Sequence, residues 1–206
     1  MKSNVLHRFL IEDDGAGLAE FALIIPLFLA LTLGVIEYSV IYYQWIIAEK
    51  ATLHAVRLAA VRPPICAGVP ISNTRLDPAG TDRFGTKCSL GGGASICASP
   101  ADVTCTGNLA NPTFAEIFAD ISPLLPTGTP ASSVSIRYES ADIGFLGGPY
   151  IPVISVELSN IEVSYLTPFA NLLIVYGAQV VNFGTIALPP MRATMSSEDL
   201  AMGPGA

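Results

Sequence analysis

The chain has 206 residues, and its 10 basic and 17 acidic side chains give a net charge of −7. Because no basic run is available to neutralise phosphates, this balance excludes nucleic acid as an expected partner. The length allows one membrane anchor and one modest domain, since about 140 residues follow Pro63 and can bury a hydrophobic core.

Residues 1–15 are mixed in charge and precede a long apolar stretch. In an ordinary secretory signal, a basic segment leads directly into a short apolar run and a cleavage site with small residues. Here the apolar run is longer and continues in a helical pattern. Cleavage of the signal type after Ala48 or Ala60 is therefore the less favoured alternative.

The apolar stretch itself predicts a membrane-spanning helix. No side chain from Phe21 to Ile36 is ionisable. A helix from about Gly17 to Glu37 would be about 30 Å long, which matches the hydrocarbon thickness of a bilayer. We therefore predict a transmembrane helix over residues 16–47. Basic residues flank both of its ends, so the positive-inside rule does not orient it.

Pro26 lies within this predicted helix, and Glu37 lies near its far end. Pro26 removes one helical hydrogen bond, which neighbouring helices make tolerable in a membrane. Glu37 falls about one bilayer thickness after Gly17 and is followed by aromatic residues that predict an interfacial belt. The alternative for these aromatics is packing against the domain that follows. They are Tyr38, Tyr42, Tyr43 and Trp45.

An amphipathic continuation is predicted over residues 48–62, and Pro63-Pro64 ends the helix. Polar residues such as His54 interrupt it, but small residues repeat along one side at helical spacing. Such residues permit close approach either to the domain's own sheet or to a neighbouring subunit. They are Ala48, Ala51, Ala55 and Ala59.

All four cysteines lie in a segment rich in glycine and proline, residues 63–113, which we expect to be a surface loop ordered by disulfides rather than by a core. No two have the C-x-x-C spacing of a zinc or redox site, so disulfides are favoured over free thiols or metal ligands. Disulfides would place the C-terminal domain in an oxidising compartment and the N-terminus in the cytoplasm. The three possible pairings stay open for Cys66, Cys88, Cys97 and Cys105.

The remaining chain predicts a short helix and an antiparallel meander. Asn111-Pro112-Thr113 introduces a helix with apolar residues at i, i+3, i+4 and i+7, from Phe114 to Ile121. Phe169–Tyr176 fits a short helix or a strand. The expected fold is α+β: the long helix packs on a small antiparallel sheet of an extracytoplasmic domain, residues 63–206. Alternating patterns predict strands at about 134–138, 154–158, 161–165 and 184–194, the last interrupted by Pro189-Pro190.

No motif in the chain indicates catalysis. The two histidines are His7 and His54, and neither belongs to a recognisable catalytic or metal-binding motif. The carboxylates of the domain are scattered, and we expect them to be solvated surface charges. We therefore expect no enzymatic activity, no cofactor, no metal and no small-molecule substrate. The carboxylates considered are Asp82, Asp102, Glu116, Asp120, Glu139 and Asp142.

The start of the apolar helix resembles a known family. Gly15, Ala16, Glu20 and Phe21 look like a type IV prepilin processing site, with cleavage before Ala16 and Glu20 as the fifth residue beyond it. The apolar run with its early proline, and the sequence Gly34-Val35-Ile36-Glu37-Tyr38, resemble the N-terminal signature of TadE-like proteins. These are pseudopilins of the tight-adherence (Tad, or Flp) pilus assembly system. The segments beginning at Leu166 and at Leu188 also resemble the C-terminal part of that family.

This resemblance implies a pilin-like fold and a role in pilus biogenesis and surface adhesion. Residues 1–15 would be a leader that a prepilin peptidase removes. Glu20 would pair with the new amine of Ala16 on a neighbouring subunit. The implied partners are the membrane, the peptidase, other Tad pseudopilins, the major Flp pilin and the assembly platform of the inner membrane. The positions implied in subunit packing are Glu20, Pro26, Gly34, Glu37, Ala51, Ala55 and Ala59.

The implied location is the inner membrane, with a cytoplasmic N-terminus and a periplasmic C-terminal domain, and incorporation into an extracellular pilus is compatible with it. The residues also allow a different class of protein: a single-pass anchored periplasmic domain that binds a partner or ligand and keeps its N-terminal segment. The two hypotheses differ in whether Gly15–Ala16 is cleaved.

Overall fold

The computed structural model describes residues 16–91, 94–165, 184–197 and 200. The described residues form two compact units, one with residues 16–42, 164–165 and 184, and the other with residues 43–91, 94–163, 185–197 and 200. The predicted segment Phe169–Tyr176 lies outside the described residues, as do residues 1–15 with the predicted leader.

The long helix predicted from the sequence is confirmed. Helix α1 spans Ala16–Val61, 46 residues, with Pro26 inside it. At 1.5 Å per residue its length is about 70 Å. It ends where Pro63 and Pro64 remove the backbone donors that would continue it and disfavour helical geometry in the residue before them.

Eight short strands and a second helix follow α1. The strands are β1 Ser89–Gly91, β2 Ala94–Ser95, β3 Val103–Thr106, β4 Val134–Glu139, β5 Val153–Leu158, β6 Glu162–Ser164, β7 Thr185–Ala187 and β8 Met191–Ser196, and helix α2 is Pro112–Ile121. One antiparallel sheet contains four of these strands, in the order β3-β4-β5-β8, and the pairs β1-β2 and β6-β7 are separate from it.

The register of the sheet places its apolar residues on one face. Ile136 pairs with Cys105 on one side and with Val156 on the other, and Val156 pairs with Ala193. Since side chains alternate along a strand, these residues share a face, and all four are buried. The strands predicted at 134–138 and 154–158 are confirmed as β4 and β5, and β6 lies within the strand predicted at 161–165. The single strand predicted at 184–194 is divided at Pro189-Pro190 into β7 and β8, which belong to different sheets.

Helix α2 forms as its sequence predicts. The side chain of Asn111 accepts a hydrogen bond from the Phe114 N–H at 3.0 Å, and Pro112 occupies the first helical position. Its apolar residues Phe114, Ile117 and Ile121 are buried. The amphipathic spacing therefore gives the helix a face directed into the core.

The structure pairs all four cysteines, which confirms the disulfide prediction and selects one of the three pairings. Cys66 bonds Cys105, with 6.1 Å between their Cα atoms, and Cys88 bonds Cys97, with 5.0 Å between theirs. The expectation that residues 63–113 form a loop without a core is wrong. The segment contains β1, β2 and β3, and Cys88 and Cys97 form a small buried cluster with Leu146.

Gly107 lies close against Phe114 of helix α2 and against the backbone of Ala131. A Cβ at this position would overlap the ring of Phe114 and the carbonyl oxygen of Ala131. We expect Gly107→Ala to lower the free energy of unfolding by about 1–3 kcal/mol, because an overpacked site has to displace its neighbours. Chemical denaturation of the full chain in detergent measures this effect. Gly184→Ala is the matched control, since no atom of the described residues lies within 4 Å of its added Cβ. An equal loss in both variants would contradict the packing argument.

Candidate functional site

The first half of α1 is the candidate site, because it carries the residues that the sequence singles out. The helix begins at Ala16, so Glu20 is its fifth residue, and Glu20 and Phe21 are both exposed. Gly15 lies outside the described residues. Glu20 and Glu37 are separated by about 26 Å along the helix axis, and no ionisable side chain lies between them.

Polar groups within this apolar span are satisfied by the helix itself. The hydroxyl of Thr32 lies 3.0 Å from the Phe28 carbonyl oxygen, and that of Ser39 donates to the Val35 carbonyl oxygen at 2.7 Å. Hydroxyls bonded in this way leave no donor unpaired in hydrocarbon.

The described part of the chain contains one helix long and apolar enough to cross a membrane, and it is a candidate anchor.

The predicted packing positions of the first half differ in exposure. Glu20, Pro26 and Gly34 are exposed, and no atom of the described part of the chain lies within 4 Å of an added Cβ at Gly34. Glu37 is instead buried. Open helix surface is therefore available at three of these four positions for contact with another molecule.

The aromatic residues after Glu37 divide between the two interpretations made from the sequence. Tyr38, Tyr42 and Tyr43 are exposed, and the rings of Tyr38 and Tyr42 stack with their centroids 6.3 Å apart. Trp45 is half-buried and lines a cleft with residues 189–193. The tyrosines thus keep the exposure that an interfacial belt requires, whereas the tryptophan packs on the domain.

The second half of α1 packs into the domain of its own chain. Its small residues are buried without any neighbouring molecule, while Glu49, Lys50, His54 and Arg57 are exposed. The sequence allowed these alanines to pack either on the chain's own domain or on a neighbouring subunit. The structure shows them packed on the chain's own domain, so they are not exposed for contact with a second subunit. The buried alanines are Ala48, Ala51, Ala55 and Ala59.

Five residues link the chain just after α1 to the domain, and the sequence analysis did not indicate them. We call this group the helix clamp: Ile65, Cys66, Cys105, Asn111 and Tyr138. The Ile65 N–H donates to the Tyr138 hydroxyl at 3.2 Å, and the Asn111 side-chain amide donates to the Ile65 carbonyl at 2.7 Å. The disulfide Cys66–Cys105 adds a covalent link to β3. The clamp therefore joins the long helix to β3, β4 and the cap of α2.

Because the helix clamp contains the buried hydroxyl of Tyr138, we expect the free energy of unfolding to fall at alkaline pH. Burial raises the pKa of Tyr138 above its usual value of 10.0, and the hydrogen bond from Ile65 opposes that shift in part. Because the unfolded chain ionises first, the stabilising effect of the neutral hydroxyl is complete below about pH 10 and is lost as the pH rises further.

Tyr138→Phe tests this expectation through the pH dependence of unfolding. At neutral pH the variant is expected to lose about 1 kcal/mol, because the Ile65 N–H loses its acceptor. Between about pH 9 and 11 its stability is expected to fall less steeply than that of the wild type. Denaturation curves across this range measure both effects, and parallel slopes for the two proteins would contradict the assignment.

Asp102 and Glu139 take part in ion pairs at the surface of the domain. Arg137 donates to Asp102 at 2.7 Å and lies 2.9 Å from Glu139, which Arg192 also reaches at 3.1 Å. The hydrogen bond to Asp102 and the charge of Glu139 raise the pKa of Arg137. Within the described ranges, no group of three or more histidine, cysteine, aspartate or glutamate side chains is arranged to hold a metal ion.

These features define a class of protein: a small α+β domain carried on one long N-terminal helix whose first half is an exposed, apolar candidate anchor. The family model of TadE-like proteins matches residues 15–57. The match begins at Gly15 and covers most of α1, so the resemblance is confirmed over this segment. This resemblance suggests a minor pilin-like role in a Tad pilus system. No curated protein and no solved structure matches the chain.

Proposed function

We propose that this chain is a pseudopilin of a Tad (Flp) pilus assembly or secretion system, which a prepilin peptidase processes and which acts in pilus biogenesis and surface adhesion. The observation that supports this most strongly is the TadE-like match on a helix whose apolar first half is exposed. An apolar surface of this kind fits lipid before assembly and other helices of the same type afterwards.

Processing would hydrolyse the peptide bond between Gly15 and Ala16. Water supplies the hydroxyl that completes the new carboxylate of Gly15, and the new amine of Ala16 becomes protonated. Helix α1 begins at Ala16, so the cut would leave a helix with a positive charge at its first residue. Because the N-terminus of a helix favours negative charge, this amine gains from a carboxylate nearby.

We assign Glu20 as the carboxylate that pairs with the amine of Ala16 on a neighbouring subunit. It is exposed, and it is the only acidic side chain between Ala16 and Ile36. In hydrocarbon an unpaired carboxylate is costly, whereas its attraction to an ammonium group is strong. Pairing between subunits would therefore fix how far one helix is displaced along the next.

The two disulfides support the proposed topology, in which the N-terminus is cytoplasmic and the domain is periplasmic, since such bonds persist in oxidising compartments. The proposed partners are the prepilin peptidase, other Tad pseudopilins, the major Flp pilin and the assembly platform in the inner membrane. The exposed first half of α1 is the surface that would meet them.

Complementation of a deletion strain tests the proposed function. Cells that lack the chain are expected to have no Tad pili, and the wild-type gene is expected to restore them, as counted by electron microscopy and by the major pilin in sheared fractions. A variant that keeps the domain but carries an unrelated transmembrane helix in place of residues 16–42 is the control, and it should fail. If that variant restores piliation, the chain is an anchored periplasmic domain whose helix has no specific role.

A further inference from the structure

An open cleft lies beside the Cys88–Cys97 disulfide, where the backbones of Arg75 and Cys97 pair in an isolated bridge. Its volume is about 390 Å³, which is within the range of sites for small ligands, about 300–1,000 Å³. Hydroxyl, guanidinium and aromatic side chains line it together. We call it the arginine cleft, and its lining includes Ser72, Asn73, Thr74, Arg75, Phe84 and Gly147.

The guanidinium group of Arg75 is held in a defined position. Its Cζ lies 4.7 Å from the centroid of the Phe84 ring, and its Nη2 donates to the Asp82 carbonyl oxygen at 2.7 Å. Gly147 leaves room for the ring, because a Cβ at this position would overlap Phe84. A cation that is stacked on a ring and fixed by a hydrogen bond is preorganised, which lowers the cost of binding a ligand.

Arg75 differs from the other half-buried arginines in its partners. Arg62 pairs with two carboxylates of α2, and Arg137 pairs with Asp102 and Glu139. Among the described residues, by contrast, no carboxylate forms an ion pair with Arg75. Because a half-buried cation gains from a counter-charge, a carboxylate from another molecule would complete this site.

The charge of the surrounding segment also fits an anion. Residues 72–90 carry three basic and two acidic side chains, whereas the whole chain has a net charge of −7. Two of the basic side chains, Arg83 and Lys87, are exposed. The segment around the cleft is therefore the part of an acidic domain that repels an anion least.

The backbone beside the cleft is already paired, which favours a ligand that binds through side chains. The Asn73 N–H donates to the Gly148 carbonyl oxygen at 2.9 Å, and the Thr74 carbonyl oxygen accepts from the Ala98 N–H at 2.8 Å. The segment thus has a neighbouring segment at each of these residues. A peptide that binds as an added strand needs a free edge, and this backbone does not provide one.

We propose that the arginine cleft binds an acidic polysaccharide, with a sugar carboxylate on Arg75 and sugar hydroxyls on Ser72 and Thr74. Both hydroxyl side chains are exposed, and a hydroxyl donates as well as accepts, as those of a sugar do. Phe84 is 71% exposed and offers an apolar surface to the C–H groups of a sugar ring. The carboxylate forms charge-assisted hydrogen bonds with the guanidinium, which are stronger than those between neutral groups.

This proposal names a class of polymer for the adhesive role in the proposed function, and it rests on that function for its use in the cell. Binding by the purified chain does not depend on pilus assembly. A chain that binds the sugar but fails to restore pili would therefore contradict the pilus role alone, and a chain that restores pili but does not bind would contradict the sugar site alone.

Isothermal titration calorimetry of the full chain in detergent tests the site with trigalacturonic acid as the probe. We expect saturable binding that weakens at least about tenfold in Arg75→Gln, because hydrogen bonds to a charged group are lost. Arg83→Gln is the matched control, since it removes the same charge from an exposed arginine of the same segment that is not among the lining residues. Its affinity should equal that of the wild type.

The trimethyl ester of the same trisaccharide keeps the sugar rings and lacks the charge, so the wild type is expected to bind it at least about tenfold more weakly. This comparison needs no variant and decides the question even if Arg75→Gln does not fold. The proposal is overturned by an absence of saturable binding, by equal weakening in the two variants, or by equal affinity for acid and ester. A peptide of three glutamates is the last probe, and binding as tight as that of the trisaccharide would assign the cleft to acidic peptides instead.

Discussion

Replacing Cys66 and Cys105 together by alanine is expected to lower the free energy of unfolding by about 4 kcal/mol. The bond closes a loop between residues separated by 39 positions, and loop-closure entropy sets this magnitude. The same change also removes the covalent part of the helix clamp. Denaturation of the oxidised full chain in detergent, followed by tryptophan fluorescence and near-ultraviolet circular dichroism, measures the loss.

The pair Cys88 and Cys97 is the control for this prediction. Its loop is shorter, with a separation of 9, so the entropy lost from the unfolded chain corresponds to about 2.6 kcal/mol. Both residues are buried, and the cavities left by alanine add to that figure. The loop-closure account of the longer bond would be contradicted by a loss below about 1 kcal/mol in the variant without Cys66 and Cys105.

Glu20→Ala is expected to abolish piliation while the chain is still inserted in the membrane. An ion pair at about 4 Å in a medium of effective dielectric constant 20 is worth about 4 kcal/mol. Its loss corresponds to a weakening of each subunit contact by about a thousandfold. Pili in sheared fractions and the amount of chain in the membrane fraction are the two measurements.

Glu49→Ala is the matched control for this change, because Glu49 is an exposed carboxylate on the same helix beyond the apolar span. It should leave piliation intact. Normal pili in cells that carry Glu20→Ala would show that Glu20 does not set the register of the helices. Loss of the variant from the membrane fraction would assign Glu20 to insertion and would equally contradict the assembly role.

The sequence predicts most of the elements because their signals are local. The bounds of α1 follow from an uninterrupted helical pattern that Pro63 and Pro64 end, and β4 and β5 follow from strict alternation. Strand β3 is missed because Val103 and Cys105 are its only apolar residues, so a strand at the edge of the sheet has the composition of a loop. The pairing of the cysteines depends on the same unpredicted strand.

The contacts of the candidate site are less predictable, because they join residues far apart in the chain. Ile65 and Tyr138 of the helix clamp are separated by 73 positions, and neither has a local pattern that indicates the other. Small residues such as Ala51 and Ala55 suit a sheet and a neighbouring helix equally, so only the structure shows that their own domain buries them. Glu37 is expected at the far membrane interface, and no local pattern indicates that its side chain is buried. The cleavage at Gly15–Ala16 and the roles of Glu20 and Phe21 stay predictions.

The N-terminal residue of the mature chain tests the central claim most directly. The protein is extracted from membranes of cells with and without the prepilin peptidase, and its intact mass and N-terminal peptide are measured. We expect a chain that begins at Ala16 when the peptidase is present and a chain that keeps residues 1–15 when it is absent. A chain that keeps residues 1–15 in both strains would contradict processing, and with it the proposal that α1 is released to assemble with helices like itself.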